Sequence, residues 1–216
     1  MAIGPVIRRS LGPLEPFAAH VYRAFFFDLR RLAEHVARLS PGSILEIGCG
    51  EGALATALLS VLPNASYVGV DICATPGRLF TGDRARARFF VADACPFAAT
   101  HPSSFDMVIA CDVLHHVAPN ARAAFVAAAQ EAIRPCGTFV LKEWERRRNL
   151  IHLVAWASDR FVTGDRVAYE TTEGLRSLVR SAAPKLAIED EQRYSPWRNN
   201  VALFLRKRSV EDASRD

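Results

Sequence analysis

Ile44-Leu45-Glu46-Ile47-Gly48-Cys49-Gly50-Glu51-Gly52 runs from an apolar stretch, interrupted only by Glu46, into a loop with glycine at every second position. Leu54, Leu58, Leu59 and Leu62 follow at helical spacing, and Pro63-Asn64 stops them. A buried strand, a glycine loop and a helix form one unit of an open α/β sheet. Glycine in such a loop lets the backbone turn sharply and lets a ligand approach without a Cβ in the way. A dinucleotide site would carry its third glycine one residue later, with the helix dipole aimed at a pyrophosphate. Here Glu46 and Glu51 flank the loop. Carboxylates repel a pyrophosphate and suit an ammonium group, which favours an amino-acid-bearing nucleoside over NAD.

Outward from this loop, apolar runs alternate with helical patterns. Ser43–Ile47, Ser66–Val70, Arg88–Val91, Phe105–Ala110 and Thr138–Leu141 read as strands, and Asp71 and Asp93 follow the second and third. Asn120–Ile133 reads as a helix, with Phe125, Val126, Ala129 and Ile133 on one face and Arg134-Pro135-Cys136-Gly137 ending it. Nearly continuous hydrophobic strands are buried on both faces, and repeated strand–helix–strand units cross over right-handed into a parallel sheet. After residue 170, Thr172–Ala183 reads as a helix, and Lys185–Tyr194 and Val201–Lys207 as strands. Ser195–Asn200 is too short for a crossover helix, so those two strands pair antiparallel or not at all. Residues 14–39 carry Phe17, Val21, Phe25, Leu29, Leu32, Val36 and Leu39 at helical spacing. The expected organisation is a helical extension over 1–42 and a domain over 43–216, with an insertion over 143–170.

The 216 residues suit one such domain, and with 50% hydrophobic and 23% charged residues a full core can be buried. No apolar run reaches the roughly 18 residues that span a bilayer. Met1–Leu14 lacks the apolar stretch and cleavage site of a secretory signal. The five cysteines stand far apart, with no Cys-x-x-Cys pair and no histidine cluster, which argues against a structural zinc site or disulfides; a reduced cytoplasm is expected. The net charge of +4 resides in short clusters such as Arg30-Arg31, Arg146-Arg147-Arg148 and Arg206-Lys207-Arg208. These read as solvated loops and strand ends, without the continuous basic stripe of a nucleic-acid binder.

The glycine loop, Asp71, Asp93-Ala94, the run Phe105-Asp106-Met107-Val108-Ile109 leading into Asp112-Val113-Leu114-His115-His116, and the Arg134–Gly137 turn together resemble the class I S-adenosylmethionine-dependent methyltransferases. The resemblance covers residues 43 to about 142, the two C-terminal strands by pattern only, and 1–40 and 143–170 hardly at all. It implies a Rossmann-like, doubly wound, mostly parallel sheet with a C-terminal antiparallel pair, and S-adenosyl-L-methionine as cofactor. It implies cofactor contacts at Glu46, Gly48, Cys49, Gly50 and Gly52, at Asp71 for the ribose hydroxyls with Ile72 beside it, at Asp93 and Ala94 for the adenine amino group, and at Cys111 near the methionine end.

Candidate catalytic residues lie where the fourth and fifth strands end. A neutral His116 or His115 could take a proton from a hydroxyl or amine as the methyl moves, and Glu143 is a further candidate base. No Asn/Asp-Pro-Pro-aromatic run follows the fourth strand, Cys95 and Pro96 stand in the wrong order for carbon-5 methylation of pyrimidines, and no Asp/Asp/Asn trio marks metal-assisted catechol chemistry; no metal is expected. The insertion combines Trp144, Trp156, Phe161 and Tyr169 with Leu150, Ile151, Leu153, Val154 and the three arginines. As a lid it would turn Trp144 and Arg146–Arg148 toward the methyl group across an apolar cavity; it could equally be an amphipathic helix packed on the sheet. Tyr22, Arg23 and Phe25 are candidates to close over the cofactor. The expected activity is O-methylation of a metabolite or an acyl or polyketide-like compound. The alternatives are an RNA-modifying methyltransferase and a non-catalytic module that binds S-adenosylmethionine; an NAD-dependent reductase comes last.

Overall fold

The computed structural model describes residues 12–14, 17, 21, 24–163 and 167–208. Tyr22 and Arg23 lie outside the described residues. The elements in chain order are α1 (Leu29–Arg38), β1 (Ser43–Ile47), α2 (Ala53–Val61), β2 (Ser66–Asp71), β3 (Ala87–Val91), α3 (Ala94–Ala99), β4 (Phe105–Cys111), α4 (Arg122–Ala132), β5 (Ile133–Trp144), α5 (Leu150–Ala157), α6 (Thr172–Ala182), β6 (Leu186–Tyr194) and β7 (Asn200–Lys207). One seven-stranded sheet runs β3-β2-β1-β4-β5-β7-β6. β1 to β5 are parallel, and β7 enters antiparallel between β5 and β6. The doubly wound, mostly parallel sheet with its antiparallel C-terminal pair is thus the fold that the residue pattern implies. No described helix is long and apolar enough to cross a membrane.

Strand alternation divides the core into two layers. Leu45 and Ile47 of β1 and Val108 and Ala110 of β4 face a cluster with Phe125, Val126 and Ala129 of α4 and Leu175 and Val179 of α6. Ile44, Met107 and Ile109 face the opposite cluster, with Leu32, Ala33 and Val36 of α1 and Leu54, Leu58 and Leu59 of α2. Helices on both faces explain why the central strands read as continuous apolar runs.

Three expectations need correction. The periodic run over 14–39 is not one helix: Phe27 makes a strand-like bridge to Pro196, and Asp28 accepts hydrogen bonds from the Arg30 and Arg31 amides to cap a new helix. Leu32 and Val36 are buried, whereas Phe17, Val21, Phe25 and Leu39 are exposed. The fifth strand extends well beyond Thr138–Leu141, because β7 continues pairing through Lys142↔Ala202, Glu143↔Val201 and Trp144↔Asn200. The helical run expected from Asn120 begins as a 3-10 turn over Pro119–Ala121, and the regular helix starts at Arg122.

Candidate active site

At the carboxyl ends of β1 and β2, the Gly48 and Cys49 amides both donate to the Val70 carbonyl, at 2.8 and 3.1 Å, which ties the glycine loop to β2. Gly48, Gly50 and Gly52 have φ of 76°, 49° and 87°, in the left-handed region that favours glycine. A Cβ on Gly48 would lie 2.4 Å from Val113 Cγ2, whereas one on Gly50 would meet nothing within 4 Å among the described residues. The loop is therefore packed against the β4 corner on one side and open on the other. Asp71 holds the loop from β2: Oδ2 accepts from the Gly50 amide at 2.7 Å and Oδ1 from the Cys73 amide at 2.8 Å. A carboxylate offers about four acceptor directions, so two remain. Ile72 beside it is 80% exposed.

The other residues of the expected cofactor set divide by layer. Glu46 is buried on the α1/α2 face and accepts from the Tyr67 hydroxyl at 2.5 Å; burial and that carboxylate hold the phenol well above the usual tyrosine range. The Cys49 thiol is pushed up by burial and then by Glu46, which makes it packing material rather than a nucleophile. Asp93 caps α3, its Oδ1 accepting from the Cys95 amide at 2.9 Å, and Ala94 is the first residue of that helix. Cys111 ends β4, its thiol raised by burial and by Asp112.

The histidine corner is built around Glu143. Its Oε1 accepts from the amides of Val113 at 3.0 Å and Leu114 at 2.7 Å, and its Oε2 meets His115 Nδ1 at 2.6 Å. The carboxylate thus grips the loop leaving β4 and the imidazole together. Burial pulls His115 down, but Glu143 more than reverses this and holds it above the ordinary histidine value. Burial pushes Glu143 up, but His115 and the Leu114 amide bring it below the ordinary carboxylate value. Tyr169 stacks on the His115 ring with centroids 5.0 Å apart, and His116 lies against it at 4.2 Å. His115 is only 7% exposed, whereas His116 is exposed. The fixed, carboxylate-oriented imidazole is therefore His115.

The structure brings in residues that the sequence reading left out. Lys142 is buried, with Nζ 2.5 Å from Asp112 Oδ2 and 3.7 Å from the Phe27 ring centre. A Lys-Glu pair ending an apolar strand is the signal that could have marked it. Asp112 stands at a positive φ of 53°, with Oδ1 buried and without a hydrogen bond among the described residues. Asp112, His115 and Glu143 bring ligand-type atoms within 4.8 Å of one another; Lys142 meets Asp112 Oδ2, and Glu143 meets His115 Nδ1 and the Leu114 amide. Arg122 is 2% exposed, its Nε donating to the Val117 carbonyl at 3.1 Å and its terminal nitrogens to Glu170 at 2.7 Å and to the Ala168 carbonyl. The Ala168 amide in turn donates to the His115 carbonyl at 3.0 Å. Arg122 thus ties the histidine turn to the end of the insertion, and nothing in its sequence context marks it.

The insertion lies at the carboxyl edge, against the histidine corner. The Tyr169 hydroxyl donates to Asp159, whose carboxyl is pushed up by burial and faces His115 and His116. The expectation that Trp144 and the arginines line a cavity beside the methyl group is not met. Trp144 is buried, its Nε1 3.2 Å from His152 Nδ1, in a cluster with Ala155 and Tyr169, and Arg146–Arg148 are exposed. A cleft of about 310 Å³ lined by Gly42, Asp106, Arg134 and Arg206 lies at the amino edge, away from this chemistry.

Residues 44–137 match the family model of a methyltransferase domain. Over those residues the chain carries a methyltransferase domain. S-adenosylmethionine is the methyl donor of this family. The chain is similar to ubiquinone biosynthesis O-methyltransferases of Thiobacillus denitrificans, 31% identical over 105 residues, and of Photobacterium profundum, 30% identical over 115. These alignments take in 47% and 50% of this chain but 44% and 46% of the relatives, so the chain spans about half the length of the curated relatives it matches. Its fold is similar to the 1,6-didemethyltoxoflavin-N1-methyltransferase of Burkholderia thailandensis, with a TM-score of 0.67 at 21% identity, covering 95% of this chain and 88% of that one.

Proposed function

We propose that this protein methylates an oxygen of a small-molecule acceptor, with His115 as the general base and Glu143 as the group that orients it. The observation that carries the reading is the 2.6 Å contact between His115 Nδ1 and the buried Glu143 carboxylate, at the carboxyl edge beside the glycine loop. With Nδ1 committed to Glu143, Nε2 is the nitrogen left for the substrate. A hydroxyl proton would pass to Nε2 as the oxygen takes the methyl group, and Glu143 would stabilise the imidazolium.

The residues present fit S-adenosylmethionine. Asp71 keeps acceptor directions for ribose hydroxyls, the exposed Ile72 offers an apolar face to a purine, and the open side of Gly50 admits a ligand against the backbone. In this reading Gly48, Cys49, Gly50 and Gly52 form the cradle, and Asp93 and Ala94 flank the base. Cys111 borders the methionine end, and Glu46 supports the cradle from beneath. The bound cofactor supplies an electrophilic methyl group. The chain's contribution is to hold an acceptor in line with it and to receive the proton. The two curated relatives support oxygen as the acceptor atom, since both are O-methyltransferases.

The test is a panel of hydroxylated aromatic and acyl compounds incubated with the full chain and methyl-labelled S-adenosylmethionine. Label should appear in a hydroxyl-bearing product. His115→Ala should slow turnover by roughly 10²–10⁴-fold while binding of S-adenosylhomocysteine stays unchanged. Transfer only to amines, or full turnover in the variant, would overturn the assignment.

A further inference from the structure

The outward side of α5 is exposed in the described structure. Ile151 and Ala155 turn inward to the cluster of Trp144 and Tyr169. Leu150 is 82% and Leu153 60% exposed, and Val154 and Trp156 are exposed beside them. A helix on a water-facing surface normally carries polar residues there, and this one is apolar on both sides. The apolar surface continues past the helix end in exposed Phe161. On the neighbouring N-terminal segment, exposed Phe25 packs against Trp197, which joins the same cluster. Arg146, Arg147 and Arg148 precede the helix and Arg160 follows it, all exposed.

We propose that this face docks the protein on an anionic lipid surface. Leucine, valine, tryptophan and phenylalanine side chains flanked by arginines are the composition that seats a helix at a bilayer interface. The apolar groups enter the acyl boundary and the guanidinium groups meet lipid phosphates. Charge decides between this occupant and a second copy of the chain. A self-complementary interface would bring two such arginine runs into one contact, where they repel, whereas an anionic surface neutralises them. Tyr169 lies edge-on to His152 of α5 and stacked on His115, so docking would set the candidate active site close to the membrane surface. An acceptor with an apolar tail could then be taken directly from the lipid phase. Docking does not depend on the transfer chemistry.

The full chain is co-sedimented with vesicles of phosphatidylcholine alone and of phosphatidylcholine with phosphatidylglycerol, at low and physiological salt. Binding is expected to the anionic vesicles and to weaken with salt. Leu150→Ser with Leu153→Ser should weaken it at least about tenfold. Replacing Arg146 and Arg148 with alanine should weaken it about fivefold per residue. These side chains are exposed, so circular dichroism and S-adenosylhomocysteine binding should match the parent chain. No sedimentation with anionic vesicles would overturn docking, as would dimers that the leucine variant dissociates. Vesicle binding without methyl transfer leaves docking standing and removes the activity; transfer without vesicle binding does the reverse.

Discussion

Glu143 holds three groups with two oxygens, and the consequences are open to titration. His115 stands above its ordinary value, so its contribution to stability is fully present below the unfolded histidine value and is lost as pH rises through the raised one. Glu143 stands below its ordinary value, so its contribution is present above the unfolded glutamate value and is lost as pH falls through the lowered one. Thermal stability should therefore be greatest between those limits, and Glu143→Gln should flatten both limbs. If His115 is the base, kcat should rise with pH through its raised value, and in the glutamine variant that rise should shift to lower pH. A kcat profile identical in parent and variant would remove Glu143 from the mechanism. His115, His116 and Glu143 were each legible as candidates, because they lie just after the fourth strand or near the end of the fifth, at the edge where open α/β sheets bind ligands. Which histidine meets the carboxylate was not legible, since that depends on the 3-10 turn over Leu114–His116. Asp159 and Arg122 act through contacts outside their own elements that no local pattern encodes.

In the proposed reading, cofactor binding rests on the strand–loop–helix unit of β1 and α2. Gly48→Ala tests it, because the new Cβ would enter both a left-handed backbone and the space of Val113. The backbone alone costs roughly 1–2 kcal/mol, and the overlap adds roughly 1–3. Lower thermal stability together with lost S-adenosylhomocysteine affinity is expected; a variant with parent-like values of both would show that the loop relaxes freely. Element type was readable wherever one period held, as in β1, β2, β4, β6 and β7. It failed over residues 14–39, where helical spacing continues across a break made by the Asp28 cap and the Phe27 bridge. It also failed at the end of β5, where the polar Lys142 and Glu143 extend the strand because β7 pairs with them.

On the scale of the whole molecule, the sheet divides the labour between its edges. The carboxyl edge gathers the glycine loop, Asp71, the histidine corner and the insertion, whereas the amino edge holds the Asp106 cleft. Asp106 is there engaged by the Gly42 and Ser43 amides and by Arg134. The doubly wound order was legible because alternating apolar runs and helices admit few topologies, and the short link before β7 leaves antiparallel pairing as the outcome. The course of the insertion was not, since its contacts with His115 come from Ala168 and Tyr169, far along the chain. A ligand bound only by the folded chain raises its stability, by about 2.7 kcal/mol at a hundred times its dissociation constant. For a chain of this size that corresponds to a Tm increase of roughly 5–10 °C. The most direct measurement is a calorimetric titration of the folded chain with S-adenosylhomocysteine and, separately, with NAD. The account predicts one S-adenosylhomocysteine site per chain, weakened by roughly 1–3 kcal/mol in Asp71→Asn, and no heat with NAD. Binding of NAD alone, or a folded chain that binds neither, would contradict it.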